Sequence, residues 1–302
     1  MMSSDPTKTS GLRKISSIPG RLEGATAFQR IARDGVARVK AHHSGAGAGN
    51  AEAVHQIRVA FTWLRAAVSF FAPMTTDVEW RRLKKEVAWL NASLGAARDS
   101  DVTAEYVSSK RYLSWARQIR GRHLDAVRVR DHRRLVRCLH SRRFQDLIGA
   151  LSGWIEHGSW LRRWKQNARG KPAEPLQAYC ARQLKRWHRR LIRKGRQLET
   201  LGPSGRHRLR IRTKRFRYML EALTEIMSVR GRDEFRYLHR PARRLQRVLG
   251  DLRDLKRLAQ LGTSAGDGNP GGNPLPGYRQ KKKKLLSAAI EAYGCLEQAR
   301  WG

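Results

Sequence analysis

Residues His207 to Glu221 read HRLRIRTKRFRYMLE, and a sparser version of the same pattern, HQIRVAFTWLRAAVS, starts at His55. Around the second copy, Arg206, Arg208, Arg210, Arg212, Lys214, Arg215 and Arg217 fall within twelve residues that contain no acid. Guanidinium groups fork onto pairs of phosphate oxygens, and an ammonium supplies a movable point charge, so these side chains suit a phosphate-bearing polyanion. A device written twice in one chain points to one polyanion site built from two related halves.

Placed on a helix at 3.6 residues per turn, His207, Arg210, Lys214, Arg217 and Glu221 share one narrow stripe. Leu209, Phe216, Leu220 and Leu223 form an apolar stripe beside it, and Ile211 and Tyr218 lie on its other flank. An ordinary surface helix sets its charges opposite its core face, whereas charges between two apolar flanks line a cleft in a bundle wall. Arg208, Arg212 and Arg215 fall off the stripe and read as outer-face charge. In the first copy His55, Arg58, Thr62 and Arg65 form the stripe, and Ile57, Phe61, Leu64, Val68 and Phe71 form the core face.

Like charges four residues apart destabilise a bare helix by about 0.2–0.5 kcal/mol per pair. Stacking Arg210, Lys214 and Arg217 therefore calls for an answering anion, either acids on neighbouring helices or a ligand. Glu221 answers one end only. With 25 Asp and Glu against 63 Lys and Arg, the acids are too few to neutralise every basic row. His55 and His207 are either helix-start caps and core hydrogen-bonders or donors to phosphate. Neither is accompanied by an HxxxH or HxxE partner, so no metal site is expected.

The repeat extends beyond the basic helices. His55, Arg58, Val59, Arg65 and Phe71 match His207, Arg210, Ile211, Arg217 and Leu223 at a spacing of 152 residues. Leu83, Leu90, Leu94, Gly95, Arg98 and Asp99 match Leu238, Leu245, Leu249, Gly250, Arg253 and Asp254 at a spacing of 155. The shared LGxxRD segments are expected to close one helix and begin the next, with Asp99 and Asp254 as N-caps. Arg98 and Arg253 then stand at a helix junction, within reach of the cleft or of an Asp.

The elements that must position these residues read as helices throughout. They run over about 24–43, 52–71, 77–97, 99–120, 122–157, 176–200, 204–228, 232–250, 252–262 and 278–301. Residues 1–20 read as a disordered basic arm, 21–166 as a first helical half, 167–175 as a linker and 176–302 as a second half. SGAGAGN (44–50) is a break, Asp77 an N-cap, and 262–277 a Gly/Pro-rich loop. KKKK at 281–284 reads as a solvated charge run. No hairpin-bounded alternating runs occur, so the class is all-α, with two pseudo-twofold-related antiparallel four-helix-like bundles around a central basic cleft.

The balance of charge bounds the partners. The 302 residues carry a formal charge of +38, which repels itself and favours a bound polyanion. The apolar share of 40% is too high for a disordered basic tail. Three widely spaced cysteines read as free thiols in a reducing, cytoplasmic compartment, and no apolar run is long enough to span a membrane.

Taken together, H-x-x-R-[VI]-x(4)-[LF]-R in both halves, KRFRYMLE at 214–221 and both LGxxRD segments resemble the CHAD domain, the conserved histidine α-helical domain, over roughly 24–301. The resemblance implies two helical bundles around a basic cleft, binding of inorganic polyphosphate, and recruitment to polyphosphate granules. It implies contacts from His55, Arg58 and Arg65 in the first half and from His207, Arg210, Lys214 and Arg217 in the second. Arg98, Arg253 and Lys84 are second-rank contacts. Thr62 and Trp63 stand where the family often has basic residues, which weakens the first half. No ExExK occurs, so the catalysis of a fused triphosphate-tunnel module is not expected, nor is a cofactor. The alternative is an RNA- or DNA-binding protein, which shares salt-dependent phosphate attraction but needs base-reading or stacking residues. A phosphate-transfer enzyme would need carboxylates for Mg²⁺ near the stripe, where the candidates are Glu221 and Asp254, and both read as structural.

Overall fold

Polar residues at the predicted starts set the helix boundaries. The Asn50 side chain accepts from Ala53 N at 2.9 Å and opens α2 (Ala51–Phe70), following α1 (Gly24–Gly47). A one-turn helix, α3 (Ala72–Thr75), follows Phe71 and carries Pro73 in its first turn. Asp77 caps as expected: its Oδ1 accepts from Trp80 N at 2.6 Å at the start of α4 (Val78–Ser108). The same buried carboxylate accepts from Ser159 Oγ at 2.8 Å and Trp154 Nε1 at 3.2 Å, tying the α4 start to the helices that follow.

The remaining helices are α5 (Gly121–Leu139), α6 (Arg142–His157), α7 (Ser159–Ala168), α8 (Leu176–Gly195), α9 (Pro203–Ile226), α10 (Arg236–Ser264) and α11 (Tyr278–Glu297). The computed structural model describes residues 24–108, 121–168, 175–227, 235–264, 277–299 and 301, and no strand occurs among them. The expected basic arm and most of the 262–277 loop lie outside the described residues.

Three sequence expectations change. The single helix expected over 122–157 is two, because Ser141 accepts from Phe144 N at 3.2 Å and caps a fresh start. SGAGAGN is helical as far as Gly47. The LGxxRD segments do not join helices: α4 and α10 run straight through them, so Asp99 and Asp254 sit in mid-helix and cap nothing. Gly95 and Gly250 have no positive φ and are ordinary helical residues.

Packing repeats as the sequence does. In the first half α1 packs on α2, α2 on α4, α4 on α5, and α5 back on α1; in the second, α8 packs on α9, α9 on α10, α10 on α11, and α11 back on α8. Each half is thus a ring of four helices, and the first carries α3, α6 and α7 in addition. Its core is aromatic. Phe28 meets Trp160, Trp154 and Phe71 edge-on at 5.0–5.8 Å, pairs that add about 0.5–1.5 kcal/mol each beyond burial. In the second half Phe216, Leu220, Leu238, Leu245 and Leu296 are buried. There a side chain at Gly195 would collide with the Tyr293 ring, so glycine permits the close approach of α8 and α11.

The halves meet where the two basic helices pack, α2 against α9. Trp63 of α2 stacks on Tyr218 of α9, with ring centroids 5.8 Å apart. α8 closes the far end of the seam, with Tyr179 stacked on Phe71 at 5.6 Å and Trp187 edge-on to Phe70 at 5.4 Å.

Candidate functional site

The seam sets the basic stripes beside α4 and α10, and the repeat explains how. Arg58 of α2 reaches across to Gly95 and donates to its carbonyl at 3.3 Å. Its counterpart Arg210 of α9 lies over Gly250, with Nε 3.6 Å from where a side chain there would begin. The Gly of LGxxRD is therefore where the partner arginine crosses the helix, and not a helix stop.

One carboxylate stands at the centre. Asp99 of α4 accepts from Arg253 Nη2 of α10 at 3.1 Å to each oxygen, and pairs with Arg257 Nη1 at 3.3 Å and Arg58 Nη1 at 3.6 Å. Its counterpart Asp254 accepts from Tyr106 Oη at 3.0 Å. The symmetry of the repeat breaks at this point: one aspartate collects three guanidiniums from both halves and the other meets a phenol.

The charge that results is not balanced. Lys214 is half-buried, and the arginines around it are Arg210, Arg58, Arg217 and Arg253. Burial first, and then those arginines, lower its pKa from the usual lysine value to about 7. The Tyr218 ring face lies 5.3 Å from its Nζ. Arg210 Nε is buried without a hydrogen-bond partner among the described residues. Burial, with Arg98, Lys214 and Arg58 nearby, pushes the His55 pKa down against the pull of Glu52. His207 is likewise lowered, by partial burial and by Arg253 and Arg210.

The cluster opens onto a cleft of about 730 Å³ between the start of α9, α10, the start of α11 and Asp99. Arg206, His207, Arg208, Arg253, Lys256, Arg257 and Lys282 line it, and Asp99 is the one acid in that lining. Arg257, Lys256 and Lys282 were not singled out in the sequence. Arg257 lies one turn beyond Arg253 and so shares its face, which was the available signal. Lys282 belongs to the run read as solvated.

The structure does not draw all ten expected residues together. His55, Arg58, Arg98, His207, Arg210, Lys214 and Arg253 form one electrostatic cluster. Arg217 joins it while already engaged: it pairs with Glu221, donates from Nε to Gln246 at 2.9 Å, and lies 4.6 Å above the Tyr218 ring. Glu221 also accepts from His239 at 3.0 Å. Arg65 stands instead beside Arg215, on the other side of α9. Lys84 is exposed on α4, about 22 Å from Asp99 along the helix axis. Arg215, read as outer-face charge, is half-buried there. Where the family often has a base, Trp63 is buried beneath the Arg38 guanidinium, 4.5 Å away.

Among the described residues, no group of three or more His, Cys, Asp or Glu could hold a metal ion, and no helix is long and apolar enough to cross a membrane.

Comparison with known proteins places these features. A family model, the CHAD domain, matches residues 30–262. The fold is similar to the crystal structure of the CHAD domain from the plant Ricinus communis, at a TM-score of 0.71 and 19% identity over 95% of this chain and 96% of that one. It is also similar to PptA from Streptomyces chartreusis, at a TM-score of 0.59 and 14% identity over 92% of this chain and 99% of that one. No curated protein matches.

Proposed function

Because the chain belongs to the CHAD domain family, we propose that it binds inorganic polyphosphate along the cationic cluster at the seam and the cleft of α9, α10 and α11 beside it, without catalysis, and is thereby recruited to polyphosphate granules. The observation that carries this reading is Lys214, a half-buried amine surrounded by Arg58, Arg210, Arg217 and Arg253. Such an arrangement opposes folding unless an anion joins it, and a chain of phosphates supplies closely spaced negative charge along the whole row. Arg253, Arg257, Lys256, Arg206, His207 and Lys282 extend the row into the cleft.

Binding without catalysis is supported by the use of the nearby carboxylates. Asp99 is held by three arginines, Asp254 by Tyr106, and Glu221 by Arg217 and His239. Each acts as a counter-charge, and none is paired with another as a general acid–base couple or Mg²⁺ site requires.

A competition titration tests the reading. Long-chain polyphosphate should displace single-stranded RNA at matched phosphate and salt concentration, because the cleft's described lining is mostly cationic and its one aromatic side chain, Tyr278, is packed against Leu255 and Leu258. A preference for RNA would replace this reading with nucleic-acid binding.

A further inference from the structure

A second concentration of charge lies outside the cleft. α8 has no acidic residue in its 20 positions, and it buries Cys180, Leu184, His188 and Leu191 against the core. Arg186, Arg189, Arg190 and Arg193 are left on one exposed stripe, at positions i, i+3, i+4 and i+7. They line a hollow of about 590 Å³ whose lining contains one acid, Glu297. Arg190 also borders a neighbouring hollow with Arg212, Arg215 and Trp187, so the two hollows adjoin at its side chain. Arg65 and Arg212 add their repulsion to the half-buried Arg215. None of these six arginines of α8 and α9 is ion-paired among the described residues.

This surface is separate from the cleft. At 100° per residue, Arg212 and Arg215 lie about 150° around α9 from Arg210 and Lys214. The linings share no residue, and Arg208 of the cleft lies on the Arg212 and Arg215 side of α9, one to two turns nearer its start.

We propose that the outer face of α8 and α9 is a second polyphosphate-binding surface, so that one molecule grips two stretches of phosphate chain and cross-links long polyphosphate. The proposal rests on the reading of the cleft given above and adds a second valence to it. The surface selects phosphate over nucleic acid by what it lacks. Trp187, the ring that borders it, is packed edge-on against Phe70, and the exposed large apolar side chains Val78, Val129, Tyr237 and Ile290 are not part of its lining. Among the described residues its lining carries no fully exposed aromatic ring, while guanidinium forks about 5–6 Å apart at their roots suit successive phosphates. Two weak grips on one long polymer raise its retention through effective concentration, with no new contact.

The test uses the full chain, a short oligophosphate in calorimetry and long-chain polyphosphate in light scattering. Two classes of site should appear with the short ligand. Scattering with the long one should rise to a maximum and fall in ligand excess, as bridging requires. Changing Arg186, Arg189, Arg190 and Arg193 together to Gln should keep the tighter class within about threefold, since none of the four lines the cleft and exposed charges act on it only through screened solvent. It should remove the weaker class, abolish the scattering, and cut the salt slope of the weaker class by about 0.7 per lost contact. The same four positions changed to Lys should retain both. Arg81, Lys85, Arg162 and Lys165 changed to Gln remove equal charge and should leave scattering intact. Scattering that survives the α8 variant, or falls equally in the control, overturns the proposal. So does single-stranded RNA that occupies the α8 face while oligophosphate fills the cleft. If the α8 variant instead loses the tight class and changes at Arg210 and Lys214 do not, the cleft reading is what fails.

Discussion

Asp99 of the first half holds Arg253 of the second through both carboxylate oxygens, each 3.1 Å from the same guanidinium nitrogen. The two residues come from LGxxRD motifs that are equivalent in the repeat, yet they bond to each other across the seam. The carboxylate occupies the place in the cationic cluster that a phosphate would compete for, so it acts as a tethered internal anion.

Replacing Asp99 with Asn should therefore separate stability from binding. Arg58, Arg253 and Arg257 lose their shared counter-charge while each is about one-third exposed. Without ligand the melting temperature should fall by a few degrees, corresponding to about 1–2 kcal/mol at this partial burial. Affinity for polyphosphate should rise by roughly three- to tenfold, since the ligand no longer displaces a carboxylate. Calorimetric titration alongside thermal melts checks both, and weaker binding would mean that Asp99 orients the arginines and does not compete.

Lys214→Met should move the two quantities the other way. Methionine matches the length of the half-buried stem and removes a charge that no described acid answers. The melting temperature of the free protein should rise, while polyphosphate affinity falls by about tenfold or more. A variant that melts lower than the parent would show that the ammonium is satisfied in the free state.

The same lysine sets a pH dependence. Its folded pKa, about 7, lies below the unfolded value near 10.5, so between those limits the unfolded chain binds more protons. Stability of the free protein should therefore gain from this group as pH rises from 7 towards 10.5. Bound phosphate holds Lys214 in its charged form, so binding in the same window takes up a proton. Affinity should then fall by up to about tenfold per pH unit above 7, and Lys214→Met should flatten the profile. Calorimetry in buffers of different ionisation enthalpy counts the proton directly; a zero count at pH 8 refutes this coupling.

Arg257→Ala should weaken binding more than Arg217→Ala. Arg257 is held to Asp99 at 3.3 Å and lines the cleft, whereas Arg217 is committed to Glu221 and Gln246. A single lost phosphate contact costs about 1–3 kcal/mol of charge-assisted hydrogen bonding. An equal or reversed order in the titration would show that ligand pulls Arg217 away from Glu221.

Residue spacing within one helix made the site legible, and contacts between helices hid the rest. His207, Arg210 and Lys214 follow from the helical projection of α9 alone, and their equivalence to His55 and Arg58 follows from the constant spacing of the repeat. Arg65 shares the projected stripe of α2 but stands beside Arg215, because the crossing of α2 and α9 turns the two stripes away from each other beyond the Trp63–Tyr218 stack. Glycine misled at LGxxRD. It reads locally as a helix stop, while its use here is to let Arg58 and Arg210 lie against α4 and α10, a contact made with residues 37 to 40 positions away. Arg257 and Lys282 have no repeat partner to draw attention to them and reach the cleft only once α10 and α11 pack.

The meeting of α2 and α9 has a meaning in terms of assembly. Two identical subunits that pair about a twofold axis present the same patch to each other. α2 and α9 are equivalent elements that present equivalent faces, so the molecule has the interface of a dimer whose subunits share one backbone. Its cationic cluster draws Asp99, Arg58 and His55 from one subunit and Arg210, Lys214, Arg253 and Arg257 from the other. Neither subunit holds a complete site alone. Because the two copies share one chain they can differ, with Lys214 on one side and Thr62 beside Trp63 on the other, an asymmetry that a pair of identical subunits cannot have.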